Sequence, residues 1–466
     1  MLRTLAATRR VHTSDTISPH HYITQGFLSE INKSEIASNI KNLGPYPTYS
    51  DVLNPQHFYQ NEVLMKYANE KPHPVSLRQL AGYGKTLTKQ KVLSSANFVR
   101  IEIPIRLALR IQDLQSLPFG VVNNYHIQKV YESYYTTFNS FRRQPPITSI
   151  ADNAKACRKM SQMLDDHVYN LPHLMMGALE VSLHTNVGPE ELDPFMSRIL
   201  RSRISRRLIV EEHLSLSAIY ENEPYARKSA DYIGEIFDEC NAAYHLKYVT
   251  DLIKTTIDYP IDLLPDLEID GDTTTTFPFI VPHLHYMLGE IVRNSLQATV
   301  RTHGQGTPSK LPPIKVSIIN GTKDIIIRIS DQGGGMSQEQ LNKVWSFHKD
   351  PDVARQSLMS FHQIPGLQIY SNLKNDQEGC PSFSKAEDAL HHTSLVDMAS
   401  KKSTLKNLIE RPHAVDLGLG LPMSKVYADY WNGDITMNSV QGYGCDTCLT
   451  LRKLGYHSNI VQLDKA

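Results

Sequence analysis

Three short segments in the second half of the chain hold residue types that together handle nucleotides. In Glu290-Ile-Val-Arg-Asn294 a carboxylate and a carboxamide stand four residues apart. On a helix, that spacing lets both heads converge on one ligand. A carboxylate accepts a proton from water or a hydroxyl. A carboxamide oxygen is a hard ligand suited to Mg²⁺, which fills its remaining positions with water and phosphate oxygens. The spacing predicts a helix over His283–Arg301, with Leu284, Leu288, Ile291, Ser295 and Ala298 as its buried stripe. Glu290, Asn294, Gln297 and Arg301 fall on another face. Taken alone, that face also reads as a solvated surface with an Arg–Glu pair.

The second segment is the apolar run Ile325–Asp331, which predicts a strand ending on an acid, followed at once by Gly333, Gly334 and Gly335. Glycines let backbone approach a flat ring, and an aspartate at a strand end is placed to accept the adenine amino group. A plain turn is the other reading. The third segment, Gly418-Leu-Gly-Leu-Pro422, opens a helix with proline in its first turn; the exposed amides of such a turn bind phosphate. It is neither a Walker A loop nor a dinucleotide fingerprint. In this order, with a long stretch between the second and third, the segments describe an ATP site built on a helix and a sheet, with magnesium held by Asn294.

Those residues need elements to hold them. The first half reads as helical: 96–114, 127–141, 151–167 and 189–219 carry apolar residues at helical spacing between breakers, which predicts an up-and-down bundle over 21–246. Beyond residue 247 the character changes. Pro260–Asp272 reads as a connection rich in Pro and Asp. Ile314–Asn320 with Asp324–Ser330, and Asp434–Ser439 with Cys445–Arg452, read as two hairpins. Residues 337–417 have no steady period, and a stretch of that length inside a domain is functional or disordered. The predicted class is α+β: a helical, four-helix-type N-terminal domain, then a domain of helix and sheet over 247–466 with a long aperiodic stretch.

Composition narrows the function. Lysine plus arginine equals aspartate plus glutamate at 48 each, which argues against a broad nucleic-acid surface. No apolar run is long enough to span a bilayer; Thr273–Gly289 is interrupted by Pro278, Pro282, His283 and His285. Five scattered cysteines suit free thiols in a reducing compartment, and the lone Cys445/Cys448 pair reads as strand packing. Residues 1–20 hold Arg3, Arg9 and Arg10, with Asp15 the first acid, and read as a mitochondrial presequence. Arg201, Arg203, Arg206 and Arg207 read as a solvated helix face, and His213 as a packed histidine.

The three segments in order resemble the Bergerat-fold ATPase superfamily, which implies an α/β-sandwich ATP-binding domain with residues 337–417 as its long lid. Leu288–Val300 and Gly418–Tyr430 are similar, more narrowly, to the mitochondrial 2-oxoacid dehydrogenase kinases, the pyruvate and branched-chain enzymes. Ile103-Pro-Ile-Arg-Leu-Ala-Leu-Arg110, Ser116-Leu-Pro-Phe119, Leu164-Asp-Asp-His167 and Ser202–Leu208 agree as well. The resemblance extends over about 92–453.

It implies an ATP-dependent protein-serine kinase that inactivates the E1 alpha subunit of the pyruvate dehydrogenase complex in the mitochondrial matrix. The branched-chain complex is the alternative target. It implies Glu290 as general base and Asn294 as the Mg²⁺ ligand. Glu290, Arg293, Asn294, Gln297, Asp331, Gly333, Gly335, Met336, Gly418, Leu419, Gly420, Leu421 and Thr447 would surround ATP, with Asp331 reading adenine. It also implies docking on the E2 lipoyl domain and a dimer of like or related chains. Tyr286 stands where pyruvate-type members carry a histidine four residues before the base. His285 lies beside it and is the second catalytic candidate. Arg293 replaces a usual lysine, and Lys349-Asp350 lies near where a Ser-Thr pair is usual. An ATP-gated clamp and a histidine kinase are the rival classes.

Overall fold

A computed structural model of the chain describes residues 61–73, 87–185, 187–222, 238–304, 309–361, 404–412 and 415–453. The expected presequence lies outside these residues. The N-terminal region is helical: α1 (Asn61–Ala68), α2 (Lys89–Gln115), α3 (Phe119–Val122), α4 (Tyr125–Arg142), α5 (Ile150–Asp166), α6 (Asn170–His184) and α7 (Pro189–Asn222). Side-chain caps begin several of them. Thr88 accepts from the Lys91 amide, Asn124 from those of His126 and Ile127, and Ser149 from that of Asp152. The four helices expected from periodicity are present. The fifth long one, α6, carries no amphipathic signal because it is buried almost all round, from Leu171 through Ser182.

The second region mixes helix and sheet: β1 (Asp238–Asn241), α8 (Ala242–Lys254), β2 (Leu267–Gly271), β3 (Thr276–Phe279), α9 (Val281–His303), β4 (Ile314–Asn320), β5 (Asp324–Ser330), α10 (Gln338–Lys343), α11 (Pro351–Phe361), α12 (Thr404–Ile409), α13 (Gly420–Tyr430), β6 (Asp434–Val440) and β7 (Gly444–Arg452). Five strands form one sheet in the order β2-β4-β5-β7-β6, with β2–β4 parallel and the other pairs antiparallel. Both expected hairpins are there. The stretch read as a connection before residue 272 holds β2, a short and mostly exposed edge strand whose acids and glycine hide a strand pattern. β1 pairs with β3, and α8 packs on α9. The stretch read as aperiodic contains α10, α11 and α12. α10 is secured by a capping box between Ser337 and Gln340.

α9 is the axis of this region. Leu284, Met287, Leu288, Ile291, Val292 and Leu296 are buried, and the helix packs against α8, α12 and α13. Buried aliphatic side chains of this size contribute about 1.5–3 kcal/mol each. The N-terminal helices share one continuous apolar core with the sheet region. Cys445 and Cys448 are free thiols and, three apart on β7, point to opposite faces.

The arginine cluster on α7 departs in part from the sequence reading: Arg201 and Arg207 are partly exposed and pair with Asp429 and Glu211, as a solvated face would. Arg203 and Arg206 are buried and line a small cavity with Tyr134, His167 and Asn170, the Arg206 guanidinium lying 4.3 Å from the Tyr134 ring centroid. These two arginines lie on the side of α7 turned into the bundle, where the Arg206 charge stacks on an aromatic face instead of meeting solvent. His213 is buried as expected, against Ser95, Cys157 and Ser217.

Burial holds His167 at about 3, with Arg206 and Arg203 adding to the effect, and burial alone holds His213 at about 4. Both fold as neutral imidazoles. Their contribution is therefore complete above the unfolded-state value near 6.5 and is lost as pH falls from there toward the folded values. Each should cost the fold about 2 kcal/mol at pH 5. Chemical denaturation at pH 7.5 and 5 is the check: the His167→Gln and His213→Gln variants should show a smaller pH difference than the parent chain.

Candidate functional site

Glu290, Asn294 and Gln297 lie along α9, Asp331 and Gly333–Met336 follow β5, and Gly418–Leu421 enters α13. The helix and the glycine turn meet closely. A Cβ built on Gly420 would sit 1.9 Å from Glu290 Oε2, so only glycine lets the turn lie against this carboxylate. Glu290 is 1 % exposed. Both its oxygens accept from Arg411, with Arg411 Nη2 at 2.9 Å from Oε2. Arg411 is itself buried and also donates to the Leu408 and Val415 carbonyls at 2.7 and 3.1 Å. Glu290 therefore ties the end of the long connecting stretch to α9. A carboxylate engaged edge-on by a guanidinium still has a lone pair on each oxygen for a hydroxyl.

Asn294, one turn on, is half-buried, and among the described residues its carboxamide has no hydrogen-bond partner. Gln297 is buried on the same helix. Asp331 is buried. Its Oδ1 accepts from the Gly333 and Cys445 amides at 2.9 and 3.2 Å, and its Oδ2 from the Ser295 hydroxyl at 2.9 Å. Burial raises its carboxyl above the usual range, while these three donors oppose the rise. The glycine loop is pinned to the β6–β7 hairpin. Gly334 N donates to Tyr443 O at 3.0 Å, Gly442 N to Gly334 O at 2.7 Å, and Met336 N to Ser439 Oγ at 2.8 Å. Gly335 has φ +64°, and a Cβ there would lie 2.2 Å from Val440 O, which excludes other residues. Thr447 is buried on β7 opposite Ile329, on the strand face shared with Asp331. Leu419 and Leu421 are buried and Gly418 is half-buried.

Two of the expected site residues stand apart. His285 points to α8, where its Nε2 lies 2.8 Å from His245 Nδ1 and its ring stacks on Tyr248. Five residues before Glu290 is a rotation of roughly 140° around a helix, so His285 is turned away from the carboxylate. The residue one turn before Glu290 is Tyr286, fully enclosed, its hydroxyl donating to Met423 Sδ at 3.6 Å. Burial holds that phenol protonated, with Glu290 adding to the effect. Arg293 is buried and donates to the Ile409 carbonyl of α12, and burial lowers it to about 10. It holds the connecting stretch on α9 from one side as Arg411 does from the other. Arg411 was not singled out in the sequence: it is one of several cations in an aperiodic stretch, 121 positions from its partner.

Residues 74–237 match the family model described as mitochondrial branched-chain alpha-ketoacid dehydrogenase kinase. A Saccharomyces cerevisiae protein named [pyruvate dehydrogenase (acetyl-transferring)] kinase 2, mitochondrial, is 37% identical over 95% of this chain and 94% of its own length. An Arabidopsis thaliana mitochondrial [pyruvate dehydrogenase (acetyl-transferring)] kinase is 27% identical, over 84% of this chain and 94% of its own. The Homo sapiens isozyme 4 of that kinase is 25% identical over 84% of each. The similarity runs through both structural regions, the helical one and the sheet-bearing one. The chain belongs to the mitochondrial 2-oxoacid dehydrogenase kinase family.

Proposed function

We propose that this protein is an ATP-dependent protein-serine kinase of the mitochondrial matrix that phosphorylates, and so inactivates, the E1 alpha subunit of the pyruvate dehydrogenase complex. The observation that carries the reading is the contact between the Gly418–Leu421 turn and Glu290, which brings a proton acceptor and a set of helix-end amides to one place. The relatives named for pyruvate dehydrogenase support the substrate. The sheet order, with α9 as the long helix packed beside α13, supports a Bergerat-type ATP domain.

The residues fit a nucleotide with magnesium. Asp331 is a buried acceptor fixed by three donors, as reading an adenine amino group requires. The half-buried carboxamide of Asn294 has an open oxygen. A magnesium ion beside this carboxamide would be held largely by water and phosphate oxygens. Bound there, Mg²⁺ supplies charge neutralisation along the phosphate tail. The chain's own work is positioning. Glu290 accepts the hydrogen of the substrate serine hydroxyl and directs its oxygen, Arg411 holds the carboxylate in one orientation, and the α13 amides orient the phosphate end. Asn294→Ala should abolish the magnesium dependence of ATP binding and weaken Mg-ATP to the level of metal-free ATP. Titration with and without Mg²⁺ is the measurement, and an unchanged magnesium effect would remove Asn294 from the metal site.

The branched-chain complex is the second target, favoured by the family model that matches residues 74–237. Incubation with labelled ATP, Mg²⁺ and each purified E1, followed by identification of the labelled residue, separates the two. Acid-stable phosphoserine on one E1 decides both class and target. Label on neither E1, with hydrolysis alone, would mark an ATP-gated clamp, and acid-labile label a histidine kinase. Docking on the E2 lipoyl domain and dimer formation belong to the same proposal. No described helix is long and apolar enough to cross a membrane.

A further inference from the structure

We propose that Lys349 is a substrate-contacting residue of this kinase, its ammonium pairing with the phosphate tail of ATP at the Gly418–Leu421 turn. The inference rests on the nucleotide reading of the site and adds to it a cation that lies outside the three motifs.

Four observations carry it. First, the backbone around Lys349 is held by the helical region. Phe347 N and His348 N donate to Asp193 Oδ1 at 2.7 and 3.3 Å, and Lys349 N donates to Ser182 Oγ at 3.2 Å. Three successive captured amides set the direction of the side chain. Second, that direction is toward the glycine turn: a Cβ built on Gly418 would lie 3.4 Å from Lys349 Cε and 3.7 Å from Cδ. The end of the lysine stem therefore runs along the turn that begins α13.

Third, among the described residues the ammonium makes no hydrogen bond and no ion pair. The carboxylates that face it are Asp193, Asp350 and Asp416, and each is committed elsewhere. Asp193 accepts from the Phe347 and His348 amides, Asp350 pairs with Lys343 at 3.3 Å, and Asp416 accepts from Gly418 N at 3.0 Å. Lys349 is half-buried, so its ammonium stays within reach of a ligand. Fourth, burial lowers it to about 8 while those carboxylates oppose the change, so the charge is still present at neutral pH. A half-buried cation beside outward-facing amides is the chemistry that recognises a polyphosphate.

The test is equilibrium binding of ATP, AMP and adenosine to the full chain and to Lys349→Met, Lys349→Arg and Asp331→Asn. Lys349→Met should weaken ATP by roughly ten- to a hundredfold, the scale of a lost charge-assisted hydrogen bond. AMP should change less and adenosine not at all, and Lys349→Arg should recover most of the ATP affinity. Unchanged ATP affinity in Lys349→Met would overturn the proposal. So would an equal loss for ATP and adenosine, which marks a packing role. The Asp331→Asn arm tests the site itself, since it should weaken adenosine and ATP alike. If it leaves both unaffected while Lys349→Met still acts on ATP alone, the adenine assignment fails and the phosphate contact stands.

Discussion

Glu290→Gln is expected to lower phosphoryl transfer by about a hundredfold or more while ATP affinity stays near that of the parent chain, the usual scale for a positioned general base. The prediction is sharper because of Arg411. The native carboxylate takes both guanidinium nitrogens. Glutamine offers one oxygen and turns an amide N–H₂ toward the cation. Breaking a buried ion pair from one side costs about 3 kcal/mol or more, so the variant should also unfold at lower denaturant. The two effects separate by experiment. Transfer assayed at a temperature where the variant remains folded should still be down by the full factor, and Arg411→Gln should share the stability loss. A Glu290→Gln enzyme with parental turnover would take proton acceptance away from this residue and leave it the role of anchoring the connecting stretch.

Gly420→Ala should be nearly as damaging, although it removes no functional group. The added methyl would lie 1.9 Å from Glu290 Oε2 and 2.6 Å from Cδ. The carboxylate cannot retreat freely, because Arg411 holds it from the other side and is itself fixed by two carbonyls. Either Glu290 leaves its place or the turn lifts. A displacement near 1 Å of a positioned group costs on the order of a hundredfold in rate, and the overpacking about 1–3 kcal/mol in stability. Turnover and denaturation measured together give the answer. The neighbouring change Ser424→Ala, one turn along α13, is the control for damage to the helix. Parental turnover in Gly420→Ala would mean that the contact between turn and carboxylate has no part in catalysis.

The residues for these experiments are found in the sequence at very different distances from certainty. Glu290, Asn294, Asp331 and the two glycine segments are legible because each function there is set by local geometry. An i, i+4 pair, an acid at a strand end and glycines at a turn depend on backbone within a few positions. The two hairpins and the amphipathic helices are legible for the same reason, since their periods are written into consecutive residues. Local order also sets what was misread. α6 has no polar face to mark its period, and β2 is an edge strand too short and acidic to look like one.

What the sequence alone determined is the content of the site: the acid, the amide, the adenine-side aspartate, the glycine turns and their order, together with the family they resemble. Tertiary structure alone decided who meets whom. It turned His285 toward His245, sent Arg293 to Ile409, buried Arg203 and Arg206 in the bundle, brought Arg411 onto Glu290 and laid Lys349 along Gly418. Each of these depends on a contact between segments far apart in the chain or on the rotation of a helix within its packing. Such contacts are chosen by how whole faces bury against one another, and a reading of neighbouring residues has no access to that choice.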